Sequence, residues 1–303
     1  MRNGASTLIR FTIALSLFCG FCSCMFTITN NCPDTIWPGT LAGAGTPELP
    51  TTGFALESGH SVEIQTPPGW SGRIWARTGC QFDASGAGAC QTGDCGGKIG
   101  CNGIGAAPPA TLFEITLGKG QDQDFYDVSL VDGYNLPLVA TPIGASTICN
   151  ATGCTSDLNS GCPKELQVMD GGTSGGVVAC KSACEAFGLD EYCCNGEYGN
   201  PTTCKPTYYS NVFKIACPRA YSYAYDDGSS TFTCKAFDYQ LTFCPTLNWL
   251  RRSNLPATAP PANGQRIGGM REIASSESNI LSADLKEQKA FAAAHACLKI
   301  GSI

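Results

Sequence analysis

From residue 25 to residue 245 the chain repeatedly alternates apolar and polar positions with a period of two. Phe26 and Ile28 alternate with threonines in FTITNN, and Val62 and Ile64 alternate in SVEIQT. Phe113, Ile115 and Leu117 point one way and Leu112, Glu114 and Thr116 the other; Tyr126, Val128 and Leu130 are likewise set against Phe125, Asp127 and Ser129. Phe237, Tyr239, Leu241 and Phe243 read as one apolar row near the end of this region. Side chains of a strand leave on opposite faces at successive residues, so these runs predict half-buried strands. Glycine and proline clusters separate them, as in a β-sandwich. The pattern lapses twice. Residues 80–101 hold Cys80, Cys90, Cys95 and Cys101 among glycines, with too few apolar residues for a core. Residues 149–217 are rich in cysteine and predict one short helix around 178–187, with Cys180 and Cys184 on one helical face. Both stretches read as disulfide-stapled lobes hanging from a sheet body.

The ends follow other patterns. Residues 1–24 have a basic start with Arg2 and Arg10, an apolar run from Phe11 to Phe21 and a close of small residues. That is the form of a secretory signal peptide, too short for a membrane span, and its cleavage near residues 22–24 would remove Cys19, Cys22 and Cys24. Residues 246–303 form an extension: a Pro/Gly/Ala linker over 254–270, then helical spacing of Ile280, Leu281, Leu285 and Phe291. Its final stretch, AFAAAHACLKIGSI, is a weak match to a GPI attachment tail, interrupted by His295 and Lys299, and vacuolar sorting is an equally weak reading; a mobile tail or a removed propeptide is the blander one.

Composition sharpens these boundaries. Of 20 cysteines, 16 lie between Cys32 and Cys244, and Cys297 stands alone in the extension. A dense, even set behind a leader indicates a disulfide framework made in an oxidising compartment. Zinc, the rival use of paired cysteines, fits poorly, because the body holds one histidine, His60; no metal or organic cofactor is expected. Residues 25–245 carry 21 acidic and 10 basic residues, while the extension carries 4 and 7. A body at −11 argues against nucleic acid or an anionic membrane as partner. About 220 residues suffice for one domain with a real core.

With these features in view, the chain resembles the thaumatin-like proteins, family 5 of the plant pathogenesis-related proteins. The stretch GAGACQTGDCGGKIGC at 86–101 is similar to the family signature, with Thr92, Gly93 and Asp94 between Cys90 and Cys95. FTITNNC at 26–32, GRIWARTGC at 72–80, DFYDVSLVDGYNLP at 124–137, EYCC at 191–194, CPRAYSYAYDD at 217–227 and LTFCP at 241–245 agree. The resemblance covers residues 25–245 and implies a mainly β, thaumatin-like sandwich with a small disulfide lobe at about 80–110 and a larger one at about 149–217. By order it implies eight disulfides: Cys32–Cys244, Cys80–Cys90, Cys95–Cys101, Cys149–Cys234, Cys154–Cys217, Cys162–Cys180, Cys184–Cys193 and Cys194–Cys204. Sequence alone cannot choose that connectivity.

The resemblance also implies an acidic cleft between the sandwich and the larger lobe. Matched by motif, its residues are Arg73, Glu114, Asp127, Asp132 and Asp226, with Asp227 the alternative to the last. Arg219 stands where the family usually has an aspartate, and Phe54 where shorter members often have an arginine. The alternation bears on this independently: Glu114 and Asp127 lie opposite the aliphatic rows of their strands, and Arg73 opposite Ile74, so all three are available to a surface. Charged residues on a wet sheet face are also ordinary. Tyr134, Tyr223 and Trp75 are candidates for stacking against a sugar, though each reads first as a core or edge residue.

The family implies a secreted, monomeric plant defence protein of the apoplast or cell wall that binds β-1,3-glucan or another wall polysaccharide and is antifungal. One alternative is a weak endo-β-1,3-glucanase with Glu114 as acid and Asp127 as base. Another is a protein-binding inhibitor of foreign hydrolases or a stress-related wall protein. Asn150-Ala-Thr152 is a candidate glycosylation site. Gly172-Thr-Ser174-Gly-Gly176 fits the G-x-S-x-G nucleophile pattern, but it lacks a strand–turn–helix setting and reads as a glycine loop.

Overall fold

The computed structural model describes residues 24–145, 149–171 and 175–245. The leader, the extension with Cys297 and its terminal motif, and most of the Gly172–Gly176 loop lie outside the described residues. The strands, in chain order, are β1 (Met25–Asn30), β2 (Trp37–Ala42), β3 (Ser61–Gln65), β4 (Ser71–Arg77), β5 (Gln81–Phe82), β6 (Gly88–Ala89), β7 (Leu112–Thr116), β8 (Asp124–Ser129), β9 (Leu138–Ile143), β10 (Thr152–Cys154), β11 (Gln167–Met169), β12 (Val177–Cys180), β13 (Phe232–Cys234) and β14 (Asp238–Phe243). Four short helices accompany them: α1 (Ala183–Phe187), α2 (Asp190–Cys193), α3 (Tyr208–Ala216) and α4 (Asp227–Ser230).

The alternating runs become the two faces of a sandwich. One five-stranded sheet runs β10-β9-β14-β1-β3 and the other β13-β8-β7-β4-β2. All their pairings are antiparallel except that of β1 with β14, the first and last strands, which run parallel from Phe26 opposite Tyr239 to Asn30 opposite Phe243. Phe26, Ile28, Tyr239, Leu241 and Phe243 of one sheet and Ile74, Phe113, Ile115, Tyr126 and Val128 of the other share one buried cluster. Its centre is aromatic: Phe26 meets Phe113 edge-on at 6.1 Å across the sandwich, and Tyr126 meets Tyr239 at 5.1 Å. Burying each such ring contributes about 2–3 kcal/mol. Phe237 departs from its expected row: it precedes β14 and is 62% exposed, because the ladder begins only at Asp238.

The eight disulfides are the pairs that the resemblance implies, from Cys32–Cys244 through Cys194–Cys204. The expected helix at 178–187 is shorter and begins later. Cys180 ends β12 and Cys184 lies on α1, so the two share no helical face. The Ser182 hydroxyl starts the helix by accepting the Glu185 N–H, and Gly188 ends it in the left-handed conformation. Residues 178–180 instead pair with β11, and Cys180 exchanges backbone bonds with Tyr134 of the body.

The small lobe hangs on one buried cation, which the sequence reading passed over. The Arg77 guanidinium donates to the carbonyls of Trp37, Pro38, Lys98 and Ile99, at 3.0, 3.3, 2.7 and 2.6 Å, and so ties β2 and β4 to the loop between Cys95 and Cys101. Burial pulls its pKa down to about 10, still far above neutrality, so it stays charged. Arg77→Leu removes the donors from four carbonyls at once. It is expected to lower unfolding free energy by about 3–5 kcal/mol in denaturant titration with the disulfides intact, and Arg77→Lys to recover only part of that.

Candidate functional site

Three adjacent strands set three charged side chains in a row. The register places Arg73 of β4 opposite Glu114 of β7, and Glu114 opposite Asp127 of β8. All three leave the face turned away from the sandwich core, since their neighbours Ile74, Phe113 and Val128 point into it. Arg73 Nε lies 3.0 Å from Glu114 Oε1. The alternation therefore assigned the face correctly, but that face is not open: Arg73, Glu114 and Asp127 are 7%, 5% and 0% exposed. Distant sequence extends the sheet beside β8. Tyr221 pairs its backbone alongside β8, with Tyr221 N–H to Val128 O and Leu130 N–H to Tyr221 O, both at 2.9 Å. On the same outer face, Trp75 and Leu112 are sealed under Cys95 and Cys101 of the small lobe.

Tyr221 connects the row to the last acidic pair. Its hydroxyl donates to Asp227 Oδ1 at 2.7 Å. Burial, then the charges of Asp127 and Asp227, push its pKa far above the usual phenol range. Asp226, the first choice for the fifth residue, is tied up in the local fold. Its Oδ2 takes the Ser222 N–H and hydroxyl at 3.0 and 2.9 Å and pairs with Lys214 Nζ at 2.8 Å. Asp227, the alternative, is the one bonded to the tyrosine that senses Asp127.

Asp132 is half-buried in the turn after β8. The turn is held by Gly133 at φ +84°, where a Cβ would come within 2.8 Å of Cys180 O and 2.5 Å of Pro109 Cβ. Only glycine fits such a position without strain, so Gly133 sets where Asp132 meets the larger lobe. There Asp132 senses Glu185 of α1, a carboxylate that the sequence reading missed. Glu185 Oε2 is buried without a hydrogen-bond partner, and Oε1 lies 3.9 Å from Lys181 Nζ. Burial raises its pKa to about 7, with Lys181 opposing the shift and Asp132 adding to it. No spacing rule could have flagged Glu185, because Asp132, the carboxylate it senses, is 53 positions away in sequence.

Other expected residues have structural work. Trp75 and Tyr134 are fully buried, their donors bonded to Gly93 O and Ser156 O, so neither can stack on a ligand. Tyr223 stays half-buried beside a small cavity between body and lobe. Arg219 lies over the Phe232 ring at 4.5 Å and donates to Ala151 O, and Phe54 packs on the core. Asn150 is exposed, whereas Thr152 of its sequon is buried and donates to Arg219 O. Among the described residues, no group of His, Cys, Asp and Glu could hold a metal ion.

The sandwich, its disulfides and this charged row can be set against known proteins. The Thaumatin family model matches residues 30–245. The chain belongs to the thaumatin family. It is 55% identical to a thaumatin-like protein 1 of Pyrus pyrifolia over 77% of this chain and 96% of the relative. It is 56% identical to pathogenesis-related protein 5 of Arabidopsis thaliana over 81% of this chain and all of the relative. A laminaripentaose-producing β-1,3-glucanase, solved with laminaritetraose, shares the fold at TM-score 0.50 and 13% identity, over 74% of this chain and 99% of that one.

The Glu185 environment has a measurable consequence. Its ordinary value is 4.5 and its folded value about 7, so the folded state prefers the protonated acid. The stability this contributes is complete below pH 4.5, falls between 4.5 and 7, and is gone above. Glu185→Gln keeps the amide-sized group but removes the titration. Melting temperatures taken from pH 4 to 8 are expected to show the variant gaining a few degrees on the parent as pH rises, with the gain confined to that window.

Proposed function

We propose that this chain is a secreted plant defence protein that binds β-1,3-glucan of fungal walls in the cleft bounded by Arg73, Glu114, Asp127 and Asp132, with Asp226 or Asp227 at its lobe side. The observation that carries this reading is the cross-strand row with its 3.0 Å ion pair. Glu114 and Asp127 are too buried to meet a sugar directly, so the half-buried Asp132 supplies the carboxylate that accepts from sugar hydroxyls, with the rigid charged row behind it, at little reorganisation cost. Neutral sugar fits a body at −11 better than an anionic polymer does. High identity to a pathogenesis-related protein over its whole length supports the defence role, and the leader supports export to the apoplast or wall.

Binding is favoured over hydrolysis by the same ion pair. A glycosidase needs one protonated carboxyl to donate to the leaving oxygen. The guanidinium beside Glu114 stabilises that carboxylate as an ion instead.

The full chain, expressed with its disulfides formed, is expected to be retained on insoluble β-1,3-glucan without releasing reducing sugar. Asp132→Asn together with Glu114→Gln should lower retention about tenfold, a loss near 1.4 kcal/mol. Sugar release abolished by Glu114→Gln with retention intact would make it a glucanase. Absence of retention on β-1,3-glucan overturns the reading.

A further inference from the structure

The larger lobe turns a set of aromatic rings outward. Phe187 of α1, Tyr192 of α2 and Tyr209 of α3 form a triangle with ring centroids 5.2–5.9 Å apart, and Tyr208 adds a fourth ring 5.4 Å from Tyr209. Phe187 is 37% exposed and Tyr208 72%. Tyr209 packs against the core that holds Phe213 of α3, while Phe187, Tyr192 and Tyr208 lie outside that cluster. We propose that this aromatic edge is a stacking subsite that extends the cleft, so that a single glucan chain has hydroxyls held at the acidic row and the apolar faces of further sugar rings laid on Phe187, Tyr192 and Tyr208. The inference rests on the glucan reading and names where the chain continues.

Three observations carry it. The first is continuity. The small cavity between body and lobe is lined by Val131, next to Asp132, by Ser222, which bonds Asp226, and by Tyr192 and Tyr209 from the ring cluster. The cavity therefore lies between the neighbours of Asp132 and Asp226 on one side and Tyr192 and Tyr209 on the other, with Phe187 and Tyr208 in ring contact with Tyr209 beyond its rim. The second is rigidity. The Tyr209 hydroxyl donates to Glu165 Oε1 at 2.8 Å, and Cys184–Cys193 and Cys194–Cys204 pin α1 and α2 beneath the rings. A platform already fixed loses little entropy when it is covered. The third is chemistry. The depression mixes rings with the Ser182 and Thr207 hydroxyls and the charges of Glu191 and Lys205. A pyranose presents the matching pattern, an apolar C–H face edged by hydroxyls. The centre of a protein interface is, by contrast, depleted of charge.

The test measures affinity of the full chain for soluble β-1,3-gluco-oligosaccharides of increasing length. For the parent, affinity should rise with length beyond what the acidic row alone can span. Phe187→Ala with Tyr208→Ala should lower affinity for long oligomers about tenfold and leave short ones unchanged. Both side chains are exposed, so folding should persist; Tyr192→Phe, which keeps the ring, should retain parental affinity. Ile215→Ala, exposed on α3 but outside the ring contacts, serves as the control and should change nothing. Length-dependent affinity that survives the double substitution overturns the subsite while leaving the glucan reading intact. Loss of binding to a foreign hydrolase, with glucan affinity untouched, overturns it in favour of a protein surface. If the parent binds no β-1,3-glucan of any length, both readings fall together.

Discussion

Every other feature of the body depends on bringing its two ends together. The parallel pairing of β1 with β14 puts the first and last strands at the centre of one sheet, and Cys32–Cys244 locks them 212 residues apart. Parallel neighbours cannot be joined by a tight turn, so everything between them is a long excursion. Asn30, at the end of β1, completes the junction: its side chain bonds Asp34 O, Leu56 O and the Cys32 N–H. Cross-linking so long a loop restricts the unfolded chain strongly, in the chain-entropy account by about 5 kcal/mol. The second sheet and both lobes are folded within that closed frame.

Within the frame, the outer face of the second sheet is divided lengthwise. One end is sealed by the small lobe over Trp75 and Leu112. The middle holds the Arg73–Glu114–Asp127 row, and the far end carries the hydroxyl pair Ser71–Thr116 at 2.8 Å. The middle is shielded from water, with Arg73, Glu114 and Asp127 only 7%, 5% and 0% exposed. Partial exclusion of water makes each polar contact there stronger and each unpaired charge more costly, which is why an arginine sits among the carboxylates. The same exclusion separates Glu185 from the rest, since its charge meets Asp132 with only a distant lysine to offset it.

The disulfides make the two lobes rigid for different reasons. The small lobe has almost no apolar core and relies on Arg77 and two bridges. The larger lobe has short helices of four to nine residues that would not persist alone, and its bridges and Phe213 hold them. Segments stapled in this way favour recognition by preformed groups over closure around a ligand.

The sequence by itself determined the strand faces, the disulfide-rich segments and, through family likeness, the bridge pairing and the charged row. These are carried by period-two alternation and by fixed local spacings, which depend only on neighbouring residues. It misjudged what depends on residues far apart. Alternation placed Glu114 and Asp127 on a face but could not know that the face would be buried, or that Tyr221, about a hundred positions later, would lie beside β8. Helical spacing joined Cys180 to Cys184 because it could not foresee that Cys180 would pair with Tyr134 across the body. Trp75 and Tyr134 resembled sugar platforms until the lobes buried them, and the lobe's own rings carried no periodic signal. Tertiary structure alone decided burial, because water is excluded by whatever packs above a residue, and only the folded chain brings that covering segment into place.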